Sequence, residues 1–293
     1  MSPELSFRGP VAIVGLGVMG GSLARALRVA APDVELLGID VDPLSGTRAL
    51  ADGVIDRFDA GGEGLVSEAE LLVYATPLRT TLGLLGEHAA RIRDDGVVTD
   101  LVSVKAPVLK RAGELGLAGR MVGSHPFCGS ERSGWGASDA ALYRGSRIFL
   151  CAAGPDDGGP DAGVRERVER LWRGVGGEPE WIEAAEHDRR MAWVSHLPQL
   201  VSNALAGALH AAGFTPDDLG PGARDMTRLA ASNPEMWEDL LRTSAPVTGT
   251  GITSVNRALQ VVGDLLARRD VDRVAEFMDR TREWRRGEDG EGG

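Results

Sequence analysis

The stretch VAIVGLGVMGGSLARAL, Val11 to Leu27, constrains this chain more than any other. A short apolar run ends on Gly15, and the spacing Gly15-x-Gly17-x-x-Gly20 leads straight into a segment with helical character. Glycine at the first position permits the tight strand-to-helix turn. At the second it lets the backbone approach a pyrophosphate, and at the third it lets helix and strand pack closely. The helix start then presents its free amides to the anion. The spacing alone is a weak signal; its weight here comes from the flanking strand and helix in the first βαβ unit. The next run, VELLGID, ends at Asp40, where a carboxylate bonds the ribose 2′-hydroxyl of a dinucleotide. That carboxylate repels a 2′-phosphate, and VDPLSG supplies no arginine to receive one, so NAD is expected rather than NADP. Gly15, Gly17, Val18, Met19, Gly20 and Asp40 are the candidate cofactor residues. Thr76 and Pro77, in the ATP that ends a further strand at the sheet's carboxyl edge, join them. The plainer alternative is a glycine-rich turn without a ligand.

Around this motif the chain alternates apolar runs with helical patterns. VAIVG, VELLGID, ELLVYAT, GVVTD, RMVGS and SRIFLCA read as strands, with helices at 19–29, 43–51, 80–91 and 105–116 between them. Runs that are apolar throughout suit strands covered on both faces, so a Rossmann-type, doubly wound parallel sheet is expected. AGPDDGGPDAG, Ala153 to Gly163, breaks the composition. It divides the chain into an NAD-binding domain, 1–155, and an all-helical C-terminal domain, 156–293, for substrate binding and dimerisation. Helices are expected there at 164–174, 184–212 with a kink at Pro198, 217–231, 234–242, 254–268 and 271–285.

Composition narrows the partners. A net charge of -11 disfavours nucleic acid, which needs clustered Lys and Arg. No apolar run approaches a membrane span, and MSPELSFRGP lacks the basic and apolar regions of a signal peptide. Two cysteines make no disulfide framework, so a cytoplasmic setting is expected; neither CxxC nor HExxH spacing occurs, so no metal is expected.

Five segments carry a more specific message: GLGVMGGSLA, TDLVSVK (Thr99–Lys105), GSHPFCGSERSG, EHDRRMAWVSHLPQ (Glu186–Gln199) and MTRLAASNPEMWEDL (Met226–Leu240). Taken in order, they resemble the prephenate/arogenate dehydrogenase family, the TyrA type of tyrosine biosynthesis. HP-x-x-GSE-x-SG combined with SHLP and TR-x-A-x-S is the selective part. The resemblance implies NAD-dependent oxidative decarboxylation of a small anionic cyclohexadienyl substrate, most simply prephenate. By match, His125 contacts the substrate's 4-hydroxyl and accepts its proton, a role that suits an imidazole. Ser103 of the SVK segment is then expected to orient His125, and Arg228 to grip a substrate carboxylate. His196 and Gln199, three apart on a helix, match the substrate pocket. Ser130 and Glu131 are candidates for the substrate's edge, although Glu131 with Arg132 reads more readily as a solvated turn than as a gating ion pair near the pocket. His187 reads as structural or pocket-edge, and His88 and His210 as packing or surface residues. Family members dimerise through the helical half, so a homodimer is expected.

Three features depart from the family pattern. HLPH is HLPQ here, the glycine before the SVK serine is Val102, and Pro246, Gly249 and Gly251 suggest a remodelled loop at 243–255. Arogenate and 4-amino-4-deoxyprephenate therefore stay open as substrates. Other readings are a β-hydroxyacid or imine-reducing dehydrogenase of the Rossmann-plus-helices type, and a non-catalytic NAD-binding sensor.

Overall fold

The computed structural model describes residues 7, 9–129, 132–154 and 157–287. The chain forms two compact units, Met1–Met191 with Leu229–Ser244, and Ala192–Arg228 with Ala245–Gly293.

The first unit is built on β1 (Val11–Val14), α1 (Val18–Ala30), β2 (Leu36–Ile39), α2 (Pro43–Ala51), β3 (Arg57–Asp59), α3 (Glu63–Glu68), β4 (Leu71–Tyr74), α4 (Leu78–His88), β5 (Val97–Asp100), α5 (Ala106–Glu114), β6 (Met121–Pro126), β7 (Arg147–Cys151), α6 (Ala162–Gly174), β8 (Glu178–Trp181) and α7 (Ala184–Met191). The strands form one sheet in the order β3-β2-β1-β4-β5-β6-β7-β8. Successive side chains of a strand point to opposite faces. Val11, Ile13, Leu71 and Val73 accordingly enter one apolar core, while Ala12, Val14, Leu72 and Tyr74 enter a second on the other face. Both faces are covered, which is why these runs carry no polar alternation.

The sheet is parallel except at one junction, where β7 runs antiparallel to β6. Among its described residues the β6–β7 connection carries only a short 3-10 turn at Trp135–Ala137 and no crossover helix, so the antiparallel neighbour is the accessible one. β3 and β8 lie at the two edges and have no apolar run. Pro179 pairs with Ile148 in the edge strand β8, a place where a missing N–H is tolerated. The composition break at 153–163 lies between β7 and α6, so the division expected at 155/156 falls inside the first unit.

In the remaining chain come α8 (Leu197–Ala211), α9 (Pro221–Thr227), α10 (Pro234–Ala267), whose turns up to Ser244 belong to the first unit, and α11 (Val271–Arg286). Two helix expectations are corrected. The helix expected over 184–212 is interrupted by a π-helical segment at Ala192–His196, and Pro198 sits in the first turn of α8, where its missing N–H costs nothing. The expected loop at 243–255 does not exist, because α10 runs unbroken through Pro246. Gly251 there is a packing residue. It is buried, and a Cβ on it would lie 3.0 Å from Leu197 Cδ2, so the glycine admits α8 side chains close to α10.

Candidate active site

β1 pairs with β2 on one side and β4 on the other, so the strand order reverses at the carboxyl end of β1. Open α/β sheets bind ligands in that crevice. Gly15 leaves β1 at φ +97°, a left-handed conformation suited to glycine, and a Cβ on it would stand 2.7 Å from the Ala75 carbonyl oxygen at the end of β4. A Cβ on Gly20 would stand 1.9 Å from the Gly15 carbonyl oxygen. Gly17 differs from both, since a Cβ there meets nothing within 4 Å and the space before the loop is open. Asp40, at the end of β2, accepts from Leu16 N at 2.6 Å and from Asp42 N at 2.8 Å, which ties its carboxylate to the glycine loop. Val18 and Met19 open α1, and its first turn has no side-chain cap. Met19, Thr76 and Pro77 line a cleft of about 420 Å³ together with Val102, Ser103 and Asp239. Open space before Gly17, uncapped α1 amides and a carboxylate at the end of β2 fit a dinucleotide. Gly20→Ala should force the turn and α1 apart and weaken NAD binding at least about tenfold, roughly 1.4 kcal/mol, as read by NAD titration; unchanged affinity would show that this contact does not shape the site.

His125 lies near the carboxyl end of β6 and is 8% exposed. Its Nδ1 is 2.9 Å from His187 Nε2, and His187 Nδ1 is 2.8 Å from Asp188 Oδ1. Phe149 of the antiparallel β7 packs on both imidazoles, with ring centroids 6.4 and 5.4 Å away. Asp188 also accepts from the Lys105 and Ala106 backbone amides at 2.7 and 2.9 Å, which caps α5 from another element. Lys105 is wholly buried. Its ammonium donates to Asp100 and, at 2.7 Å, to the carbonyl of Ser124, the residue before His125. Burial pushes the Asp100 carboxyl above its ordinary range, and the Lys105 ammonium pulls it back. Ser124 Oγ completes the support, accepting from Trp172 Nε1 at 2.9 Å and sharing a 2.7 Å bond with Thr99.

Residues 23–179 match the description "Prephenate dehydrogenase, nucleotide-binding domain", and residues 183–280 match "Prephenate dehydrogenase, dimerization domain". The chain belongs to the prephenate dehydrogenase family. It is 30% identical over 243 residues to a cyclohexadienyl dehydrogenase of Zymomonas mobilis, covering 80% of this chain and 81% of that one. It is 32% identical over 243 residues to a prephenate dehydrogenase of Bacillus subtilis, covering 79% of this chain and 63% of that one. Its fold superposes with a TM-score of 0.88 and 30% identity on prephenate dehydrogenase from A. aeolicus in complex with hydroxyphenyl propionate and NAD+, over 98% of this chain and all of that one. The protein is a prephenate dehydrogenase-type oxidoreductase with a nucleotide-binding domain.

The expected site residues are placed as follows. The cofactor candidates Gly15 to Gly20, Asp40, Thr76 and Pro77 gather at the strand-order reversal, and Ser103 lines the same cleft, half-buried. In the second unit His196 and Gln199 are both buried on one helical face, and Gln199 Nε2 donates to Asn203 Oδ1 at 2.8 Å. Arg228, at the end of α9, is exposed in the single chain. Ser130 and Glu131 lie outside the described residues. Three residues at the site were not singled out from sequence, or were given a smaller part: Lys105, Asp188 and His187. All three lie within the SVK and EHD segments already quoted, and the usable signal was a lysine directly after a strand-end loop and a His-Asp pair in a helix. Burial raises the thiols of Cys128 and Cys151, the latter to about 12, so neither is a ready nucleophile. Among the described residues no group of three or more His, Cys, Asp and Glu could hold a metal, and no helix is long and apolar enough to cross a membrane.

Proposed function

We propose that this enzyme converts prephenate to 4-hydroxyphenylpyruvate and CO2 with reduction of NAD. The observation that carries the reading is His125, an imidazole held near the carboxyl end of β6 with its Nδ1 2.9 Å from His187 Nε2. His125 Nε2 takes the proton of the 4-hydroxyl as the hydrogen on the same ring carbon departs with its electron pair. NAD, when bound, receives that hydride. The electrons of the bond to the ring carboxylate then fill the ring as CO2 leaves, and His125 returns its proton to the resulting phenolate oxygen. No net proton is consumed. Ser103 orients His125, and Arg228, with a permanently charged bidentate fork, takes a substrate carboxylate. Asp40 favours NAD by repelling a 2′-phosphate.

Gln199 is a neutral amide where the family commonly carries an imidazole, and its bond to Asn203 joins two uncharged groups. This favours the keto acid over an ammonium-bearing substrate, with arogenate and 4-amino-4-deoxyprephenate as the alternatives. The test is NADH formation with the three substrates side by side. Preference for prephenate supports the reading, preference for either amine reassigns the substrate, and no turnover with any leaves an NAD-binding sensor as the better account.

The same reading includes a homodimer. No residue of α11 is buried in the single chain, and Leu259, Leu266, Val271 and Trp284 are 55–71% exposed, an unusual surface for a lone chain. Light scattering should give the mass of two chains; the mass of one would remove the dimer.

A further inference from the structure

We propose that His187 and Asp188 are positioning residues that fix the tautomer of His125, holding its hydrogen on Nδ1 and leaving Nε2 unprotonated. This rests on the reading that His125 Nε2 accepts the substrate's hydroxyl proton, and it names what keeps that nitrogen unprotonated.

The Asp188 carboxylate can only accept, and it already accepts from the backbone amides of Lys105 and Ala106 at the start of α5. Its third close neighbour is His187 Nδ1, so that nitrogen carries a hydrogen and donates it. In a neutral imidazole one nitrogen donates and the other accepts. His187 Nε2 is therefore an acceptor, and the group 2.9 Å from it is His125 Nδ1. His125 must donate there, which leaves Nε2 with its lone pair. The opposite arrangement, with His187 doubly protonated, would turn His125 Nδ1 into the acceptor and place a hydrogen on the nitrogen that has to receive one.

The scaffold makes this arrangement rigid. His187 is fully buried in α7, and Phe149 packs on both rings. Lys105 joins the two ends: its backbone amide is held by Asp188, and its ammonium holds the carbonyl that precedes His125. When His125 takes a proton it becomes an imidazolium whose Nδ1–H still points at His187, with the Asp188 carboxylate behind. The developing charge is thus met by groups already oriented, without reorganisation.

Two measurements test the assignment. The first is the 15N spectrum of histidine-labelled full-length protein at neutral pH, with His125 and His187 assigned from His125→Asn and His187→Gln. His125 should be the Nδ1–H tautomer and His187 neutral; an Nε2–H tautomer at His125 overturns the proposal. The second compares His187→Leu with His187→Gln. Leucine fills space but accepts nothing, whereas the glutamine carbonyl reaches the place of Nε2 and can accept from His125. Loss of an outer partner that orients a reacting group typically lowers activity by about 10–100-fold. We expect such a fall in kcat for His187→Leu, recovery to within about fivefold for His187→Gln, and KM and NAD affinity within about threefold of the parent in both. Equal losses in the two variants, or none in either, overturn the proposal. If His187→Leu does not fold, the parent spectrum and the glutamine variant decide. A parent enzyme that turns over none of the three substrates would defeat the functional reading alone, because the tautomer is read without turnover.

Discussion

His125→Asn should bind NAD with nearly unchanged affinity and turn over roughly 10²–10⁴-fold more slowly, the usual worth of a positioned acid or base. The asparagine amide can donate to His187 Nε2 from about the place of Nδ1, so the support behind β6 stays in contact. It has no titratable nitrogen where Nε2 stood. The glycine loop and Asp40, the candidate dinucleotide residues, lie on other strands and are untouched. The change is therefore expected in kcat, equivalent to about 3–5 kcal/mol of transition-state stabilisation, with NAD titration as the control. Near-normal turnover would remove His125 from its role.

The second large effect is on stability. Lys105→Met should destabilise the first unit by about 3–5 kcal/mol, the range for removing one partner of a buried ion pair. Lys105 and Asp100 both have wholly buried side chains, and the ammonium also holds the Ser124 carbonyl. Methionine keeps the stem's bulk and strands the Asp100 carboxylate in a site where burial already raises its proton affinity. The pH dependence has a definite sign. A carboxyl whose folded pKa lies above its unfolded value of about 3.9 binds more protons in the folded state, so stability falls as pH rises between the two values. The variant should consequently be more stable at pH 5 than at pH 8 in chemical denaturation. Adding Asp100→Asn should recover part of the loss and flatten this slope. A single variant as stable as the parent at pH 8 would show that the pair contributes nothing to the fold.

His125 and Lys105 differ in how readily sequence discloses them. His125 was legible because it sits in HP-x-x-GSE-x-SG, a segment selective enough to carry a role. The glycine loop and Asp40 were legible because strand, turn and helix are consecutive in the chain, and local sterics alone select glycine there. β3 and β8 were missed because edge strands need no apolar run, and Pro179 reads as a breaker unless its N–H is known to face no partner. The turn of β7 against β6 was equally hidden: both strands read as buried, and direction is set by the connection between them. Pro246, Gly249 and Gly251 misled because their local propensity favours a loop, whereas Gly251 is present for close packing against Leu197 inside a helix.

The sequence by itself determined the alternation of strand and helix, the dinucleotide loop, the family, and the histidine at the centre of the proposed chemistry. Each is carried by residues adjacent in the chain or by motifs read in order. Tertiary structure alone decided what surrounds that histidine. His187 and Asp188 follow it by more than 60 positions, and Lys105 precedes it by 20, yet all three meet the same few ångströms behind β6. Burial, the direction of a hydrogen bond and the proton affinity of a carboxyl depend on which groups the folded chain brings together, and no local pattern encodes that.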